Sequence, residues 1–256
     1  MAITADDAGP GSAPEPERED DLGERMPLVD HLTELRRRLI ISVVALAVGA
    51  VIGFIIYDHI LSILIRPYTD VTGKTEFVFF DPLEAFATRL KVAAWSGAFI
   101  ASPVVLWQLW RFITPGLHKN EKRLAIPFIV SSIFLFVLGG VVAMFTFHSA
   151  LSFLVGIGGD HLTPLFSASK FLSLIILMII AFGVAFEFPI LLVFLELAGV
   201  LTSRTLRRWR RPAIVVIVII AAVITPSQDP YSLFMMAVPM YLFYEASIVI
   251  GRLLKK

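Results

Sequence analysis

The chain has 256 residues, 57% hydrophobic and 17% charged, with no cysteine and a formal net charge of +1; its mean hydropathy is +0.81. Soluble domains average about 45–50% apolar and about 25% charged residues, and here the apolar residues lie in long unbroken runs, which excludes an ordinary soluble domain and indicates membrane spans. The absence of cysteine removes disulfides, thiolate metal sites and cysteine nucleophiles.

Residues 1–25 differ from the rest. Asp6, Asp7, Glu15, Glu17, Glu19, Asp20, Asp21 and Glu24 make them acidic, and Pro10, Pro14 and Pro16 interrupt regular structure. No apolar h-region is present, so this is not a signal peptide; it reads as a disordered tail. Residues 26–252 form one membrane domain, and 253–256 a short C-terminal tail. From Met26, Leu28, Leu32, Leu35 and Leu39 recur at helical spacing, opposite Asp30, Glu34, Arg36, Arg37 and Arg38. Such a helix lies at a membrane surface and runs into a first span, about Leu39 to Tyr57.

Asp58 to Thr88 is expected as an outside loop, with Thr75–Phe80 short and extended or interfacial. The second span is about Leu90 to Trp110, kinked at Pro103. A basic loop follows, in which Arg111, Lys119, Lys122 and Arg123 surround one carboxylate, Glu121. The third span is about Leu124 to Phe147, and Ser149–Ser169 is a second outside loop. The fourth is long, about Lys170 to Ala198, and contains Glu187 and Pro189. A second inside loop carries Arg204, Arg207, Arg208, Arg210 and Arg211. The fifth, Pro212–Thr225, is only about 21 Å long at about 1.5 Å per residue, against a hydrocarbon core of about 30 Å. The sixth is about Ser232 to Gly251.

The expected fold is therefore all-α and polytopic, with six transmembrane helices and both termini inside. The cations support this orientation: Arg36–Arg38, the basic loop, the five arginines from Arg204 to Arg211, and Arg252, Lys255 and Lys256 all fall inside. The outside loops hold few beyond Arg66, Lys74, Arg89, Lys91 and Lys170.

No phosphate-binding GxxxxGK[ST] occurs, and no GxSxG. The five histidines make no close metal spacing. What remains is a set of carboxylates. Glu34 suits an i,i+4 pair with Arg38, worth about 0.2–0.5 kcal/mol, and Glu121 suits a solvated loop charge. Alternatively both lie on one cytoplasmic face and bind a guanidinium pair, which carboxylates hold bidentately and for which lysine substitutes poorly. Glu187, in AFGVAFEFPILLVF, has no neighbouring cation. An acid at mid-helix costs about 2.5–3.5 kcal/mol, so it is expected to face the bundle interior or a wet cavity, or to be protonated. Glu245, in YLFYEASIVIGR, lies on the same helix face as Arg252 and serves either packing or function. Asp229 is expected to cap the tight TPSQDP turn.

Six stretches carry a family resemblance: HLTELRRRL (His31–Leu39), DPLEAF (Asp81–Phe86), LWRFITPGLHKNEKR (Leu109–Arg123), FGVAFEFP (Phe182–Pro189), TPSQDPYS (Thr225–Ser232) and VPMYLFYE (Val238–Glu245). In this order, with short final helices, they resemble the TatC family, the multispanning receptor subunit of the twin-arginine protein translocase. The resemblance implies a glove-like concave bundle in the bacterial cytoplasmic membrane. It implies binding of twin-arginine signal peptides of folded cargo, assembly with single-span TatA- and TatB-type partners and further copies of itself, and transport driven by the proton motive force. No cofactor, nucleic-acid partner or enzymatic step is implied. By position, Glu34, Glu121, Phe112 and Arg36 match the signal-peptide site, Glu187 the intramembrane polar site, and Thr225 the partner-docking surface, to which Glu245 is also assigned. Leu233 departs from the family, where many relatives carry glutamine. The alternative is a proton-coupled small-solute transporter using Glu187 and Glu245 as a relay. An intramembrane enzyme is disfavoured for want of a nucleophile–base constellation.

Overall fold

The computed structural model describes residues 28–113, 125–158 and 166–254. Among them the chain forms α1 (Leu28–Ile55), α2 (Tyr57–Leu64), α3 (Arg66–Thr72), α4 (Glu84–Ile113), α5 (Ala125–Ile157), α6 (Ala168–Ala185), α7 (Phe188–Leu197), α8 (Ser203–Arg208), α9 (Arg210–Ile224) and α10 (Pro230–Leu254). The only β-pairing among the described residues is an isolated bridge between Val78 and Ser167, which places the extended segment expected at Thr75–Phe80. The acidic tail lies outside the described residues.

Among the described residues five stretches are long and apolar enough to cross a membrane: Leu32–Ile55, Glu84–Ile113, Ile126–Ile157, Ala168–Leu197 and Pro230–Leu253. Their outward side chains are themselves apolar, as at Val51, Phe145, Phe234 and Leu253, so the chain is a membrane protein whose outer surface suits lipid. The fifth expected span, α9, has 15 residues and would reach about 22 Å.

Several boundaries differ from the sequence expectation. The entry helix and first span are one continuous helix, α1. The stretch expected as an outside loop, Asp58–Thr88, holds α2, α3 and the start of α4. Pro67 does not break it, because Pro67 sits in the first turn of α3, where its missing N–H has no helical partner to lose. Gly73, at φ 66°, ends that helix. Helix α5 runs beyond Phe147 because Phe147 and Leu151 continue its buried stripe. Helix α4 passes through Pro103 as one helix.

The fourth span breaks at Phe186–Glu187 into α6 and α7. Pro189 has no N–H to donate to the Ala185 carbonyl, and the Glu187 N–H bonds Val184 in a tightened turn at 3.1 Å. Helix α7 ends at Gly199, φ 74°. There the Val200 N–H donates to the Leu195 carbonyl at 3.0 Å and the Gly199 N–H to that of Glu196 at 3.2 Å, a double closure of the helix end that a left-handed glycine permits.

Small residues set the closest helix contact. A Cβ on Gly49 would fall 2.4 Å from the Gly97 carbonyl oxygen, one on Gly53 2.6 Å from that of Ala93, and one on Gly97 2.3 Å from the Ala50 nitrogen. Lipid supplies no hydrophobic drive between helices, so close backbone packing carries the association. The two glycines of α1 thus fix α1 antiparallel to α4. At the α2/α3 end, Tyr68 and Phe77 pack with ring centroids 4.4 Å apart, and Phe171 lies 5.6 Å from Tyr68 and 5.3 Å from Phe147. This aromatic cluster pins α3 to α5 and α6.

Candidate functional site

The register set by Gly49, Gly53 and Gly97 brings Arg38 of α1 beside Gln108 of α4, the Arg38 Nη1 donating to the Gln108 Oε1 at 3.5 Å. Arg38 also donates through Nε to Glu34 Oε1 at 3.0 Å, and through Nη2 to the same oxygen. The helical pair expected from spacing therefore forms. It uses only one carboxylate oxygen: Glu34 Oε2 is buried and has no hydrogen-bond partner among the described residues. Arg36 and Arg111 are exposed, and Phe112 is half-buried in the last turn of α4. Glu121 lies outside the described residues, as do Lys119, Lys122 and Arg123.

Glu187 stands at the α6/α7 break, where the broken helix turns its side chain toward α5. Trp110 Nε1 donates to Ser132 Oγ at 2.9 Å, and Ser132 Oγ donates to Glu187 Oε2 at 2.5 Å. An indole N–H only donates, so the serine accepts from it and keeps its own hydrogen for the carboxyl. The Trp110 ring is boxed by Phe128 and Phe194, each with its centroid 5.6 Å away. The second oxygen, Glu187 Oε1, is buried and has no hydrogen-bond partner among the described residues. An acceptor without a donor at membrane depth can receive an N–H or O–H from an arriving helix or peptide.

Glu245 is placed differently from its sequence neighbourhood. It pairs not with Arg252 of its own helix but with Arg210 at the start of α9, Nη2 to Oε2 at 2.6 Å, and takes the Tyr241 hydroxyl at 3.2 Å. Among the described residues Glu187 and Glu245 share no hydrogen-bond partner. Thr225 is buried, only 2% exposed, and its hydroxyl meets Met236 Sδ at 3.5 Å. It ties α9 to α10 from behind, while Val223 and Phe234 face outward. Asp229 caps α10 as expected, its Oδ1 accepting from the Ser232 N–H at 2.7 Å ahead of a proline in the first turn. Leu233 packs against the main core.

Four further polar residues were not assigned from sequence. Trp110 and Ser132 complete the Glu187 chain. Their signal was present: a tryptophan N–H and a serine within apolar runs must each find a partner, and Glu187 was the acid available. Glu196 on α7 is fully buried, and neither oxygen has a hydrogen-bond partner among the described residues. It is packed against Gly251 of α10, where a Cβ would fall 1.7 Å from Glu196 Oε2. At the other end, Glu84 accepts from the Phe80 N–H at 2.8 Å and from the Ser167 hydroxyl, fastening the start of α4 to that of α6.

A family model for the Sec-independent protein translocase protein (TatC) matches residues 30–239. The Sec-independent protein translocase protein TatC of Aquifex aeolicus is 41% identical over 231 residues, covering 89% of this chain and 95% of that protein. Its counterpart in Frankia casuarinae is 40% identical over 239 residues, and there the match covers 89% of this chain but 66% of the longer relative. A crystal structure of the twin arginine translocase receptor TatC superposes with a TM-score of 0.75 at 40% identity, covering 88% of this chain and 100% of that one.

Proposed function

This chain belongs to the TatC family of Sec-independent protein translocase proteins, and on that premise we propose that it is a receptor for twin-arginine signal peptides in a bacterial cytoplasmic membrane. In this reading the chain spans the membrane six times with both termini cytoplasmic, α9 being the short fifth span. The charge distribution supports it: Arg36–Arg38, Arg111, Arg204–Arg211 and Arg252 cluster at one end.

The observation that carries the site is Glu34. One oxygen is held by Arg38, while the other has no donor among the described residues. Glu34, with Glu121, anchors the arginine pair by charge-assisted bonds. Arg36 and Phe112 flank it. The arginine pair adds the donors that Glu34 Oε2 lacks, which is why a guanidinium fork suits the site better than an ammonium. The apolar part of the peptide then inserts along the concave face, and Glu187 Oε1 receives a polar group of the peptide or of a partner helix. Single-span TatA- and TatB-type proteins dock on the outward side of α9 and α10. Thr225 supports that surface from within, and Glu245 holds its inner end through Arg210. Further copies of the chain join the assembly. The chain works by binding and assembly, without a catalytic step, and the proton motive force drives export.

The test is binding of a twin-arginine peptide to the purified protein in nanodiscs. The Arg-Arg peptide is expected to bind, and a Lys-Lys peptide, Glu34→Ala or Glu121→Ala each to weaken binding by about 1.5–3 kcal/mol. Equal binding of both peptides, or wild-type binding by the alanine variants, would sink the carboxylate clamp.

A further inference from the structure

A trough runs between the helices at the α2/α3 end of the bundle. Its deep part is a cavity of about 390 Å³ lined by Ile60, Ile63, Phe99, Met144 and Ile179 among others, with His59, Ser96 and the Trp95 indole as its polar groups. Its mouth is a recess of about 520 Å³ lined by Arg66, Pro67, Asp70, Phe145 and His148. Ile63, Val141 and Met144 line both, so the two adjoin each other. Gly140 forms part of the wall, where a Cβ would fall 2.8 Å from the Phe99 ring. The deep part is therefore oily and the mouth ionic.

The shape selects an occupant. A helix is about 10–12 Å across, so a cavity of this size holds only about one turn of it. A single acyl chain is thin enough to run its length. The mouth selects a head group. Arg66 and Asp70 stand four residues apart on α3, a spacing at which opposite charges ordinarily meet. Here they do not: neither side chain makes an ion pair or hydrogen bond among the described residues, and both are exposed. An anion alone would meet the Asp70 carboxylate, and a cation alone the Arg66 guanidinium. A group carrying both signs satisfies both.

We propose that this trough binds one phospholipid whose head group carries a phosphate and a primary ammonium. The guanidinium of Arg66 takes the phosphate through its planar fork. The Asp70 carboxylate takes N–H donors from the ammonium, which a quaternary ammonium does not have. The apolar cavity takes an acyl chain. His148, exposed on α5, flanks the phosphate. Binding does not depend on the receptor reading; that reading's orientation only assigns the lipid to the leaflet opposite the basic loops.

The test is native mass spectrometry of the full chain, released from nanodiscs containing phosphatidylethanolamine, phosphatidylcholine and phosphatidylglycerol with identical acyl chains. One phosphatidylethanolamine is expected to stay bound, with a preference of about tenfold over each of the others. Asp70→Asn, an exposed change, is expected to erase the preference over phosphatidylcholine. Arg66→Gln is expected to weaken retention of all three lipids. Equal retention of the three by wild type, a preference for phosphatidylglycerol, or an unchanged preference in Asp70→Asn would overturn the proposal. So would displacement of the lipid by a twin-arginine peptide in the Arg66→Gln variant and wild type alike, which would make the trough a peptide groove.

Discussion

Glu187 and Glu245 are both carboxyl groups on apolar helices, and the chain satisfies them in opposite ways. Glu245, near the end of the bundle, meets a guanidinium and a phenol, and the pair is partly open to solvent, 29% for the acid and 47% for Arg210. Glu187, at the α6/α7 break, meets one serine hydroxyl backed by a buried tryptophan, and one oxygen is left over. The comparison teaches that depth, more than formal charge pairing, sets what each contact is worth. An exposed ion pair gains little, because water competes for both partners. A hydrogen bond in a buried site matters more, because removing one partner strands the others.

The largest expected effect is at Trp110. Trp110→Ala removes the boxed ring as well as the donor, and is expected to cost about 3–5 kcal/mol in unfolding free energy. Trp110→Phe, which keeps most of the ring, is expected to recover most of that loss; a phenylalanine variant as unstable as the alanine one would show that packing was not the main contribution. Ser132→Ala comes next. It strands both the indole N–H and Glu187 Oε2, for about 1–3 kcal/mol. Arg210→Ala is expected to cost less, about 0.2–1 kcal/mol, even though it removes a full charge. Reversible unfolding in bicelles measures all three, and Arg210→Ala exceeding Ser132→Ala would invert the comparison. The smallest effect is that of salt. Raising ionic strength is expected to shrink the Arg210→Ala penalty and leave the Ser132→Ala penalty unchanged, since screening acts on the exposed pair alone.

The long helices were legible from sequence because apolar runs, proline positions and loop arginines all point the same way. The cap at Asp229 was legible for a local reason, a carboxylate ahead of a helix, whereas the break at Phe186–Glu187 was not, because Pro189 reads as one residue within a long apolar run. The helices α2 and α3 were not, because Pro67 and Gly73 resemble loop signals until their places at the two ends of one short helix are known. The Glu34–Arg38 pair was readable from spacing, but the contact of Arg38 with Gln108 was not, since that depends on how closely α4 approaches. Gly49 and Gly97 govern that approach from different helices, and no local pattern links them. Glu196 stayed hidden because an acid near the end of an apolar run reads as an interfacial residue, whereas the fold turns it inward onto Gly251.

That last contact constrains the order in which the chain can change. Any side chain at position 251 would enter space filled by the Glu196 carboxyl, which has no exposed surface to retreat toward. A shorter residue at 196 opens that space; a larger residue at 251 closes it. The route through Glu196→Ala first is therefore passable, and the route through Gly251→Ala first meets a collision. The two positions form a ratchet for mutation, in which the acid has to be given up before the glycine is free to vary.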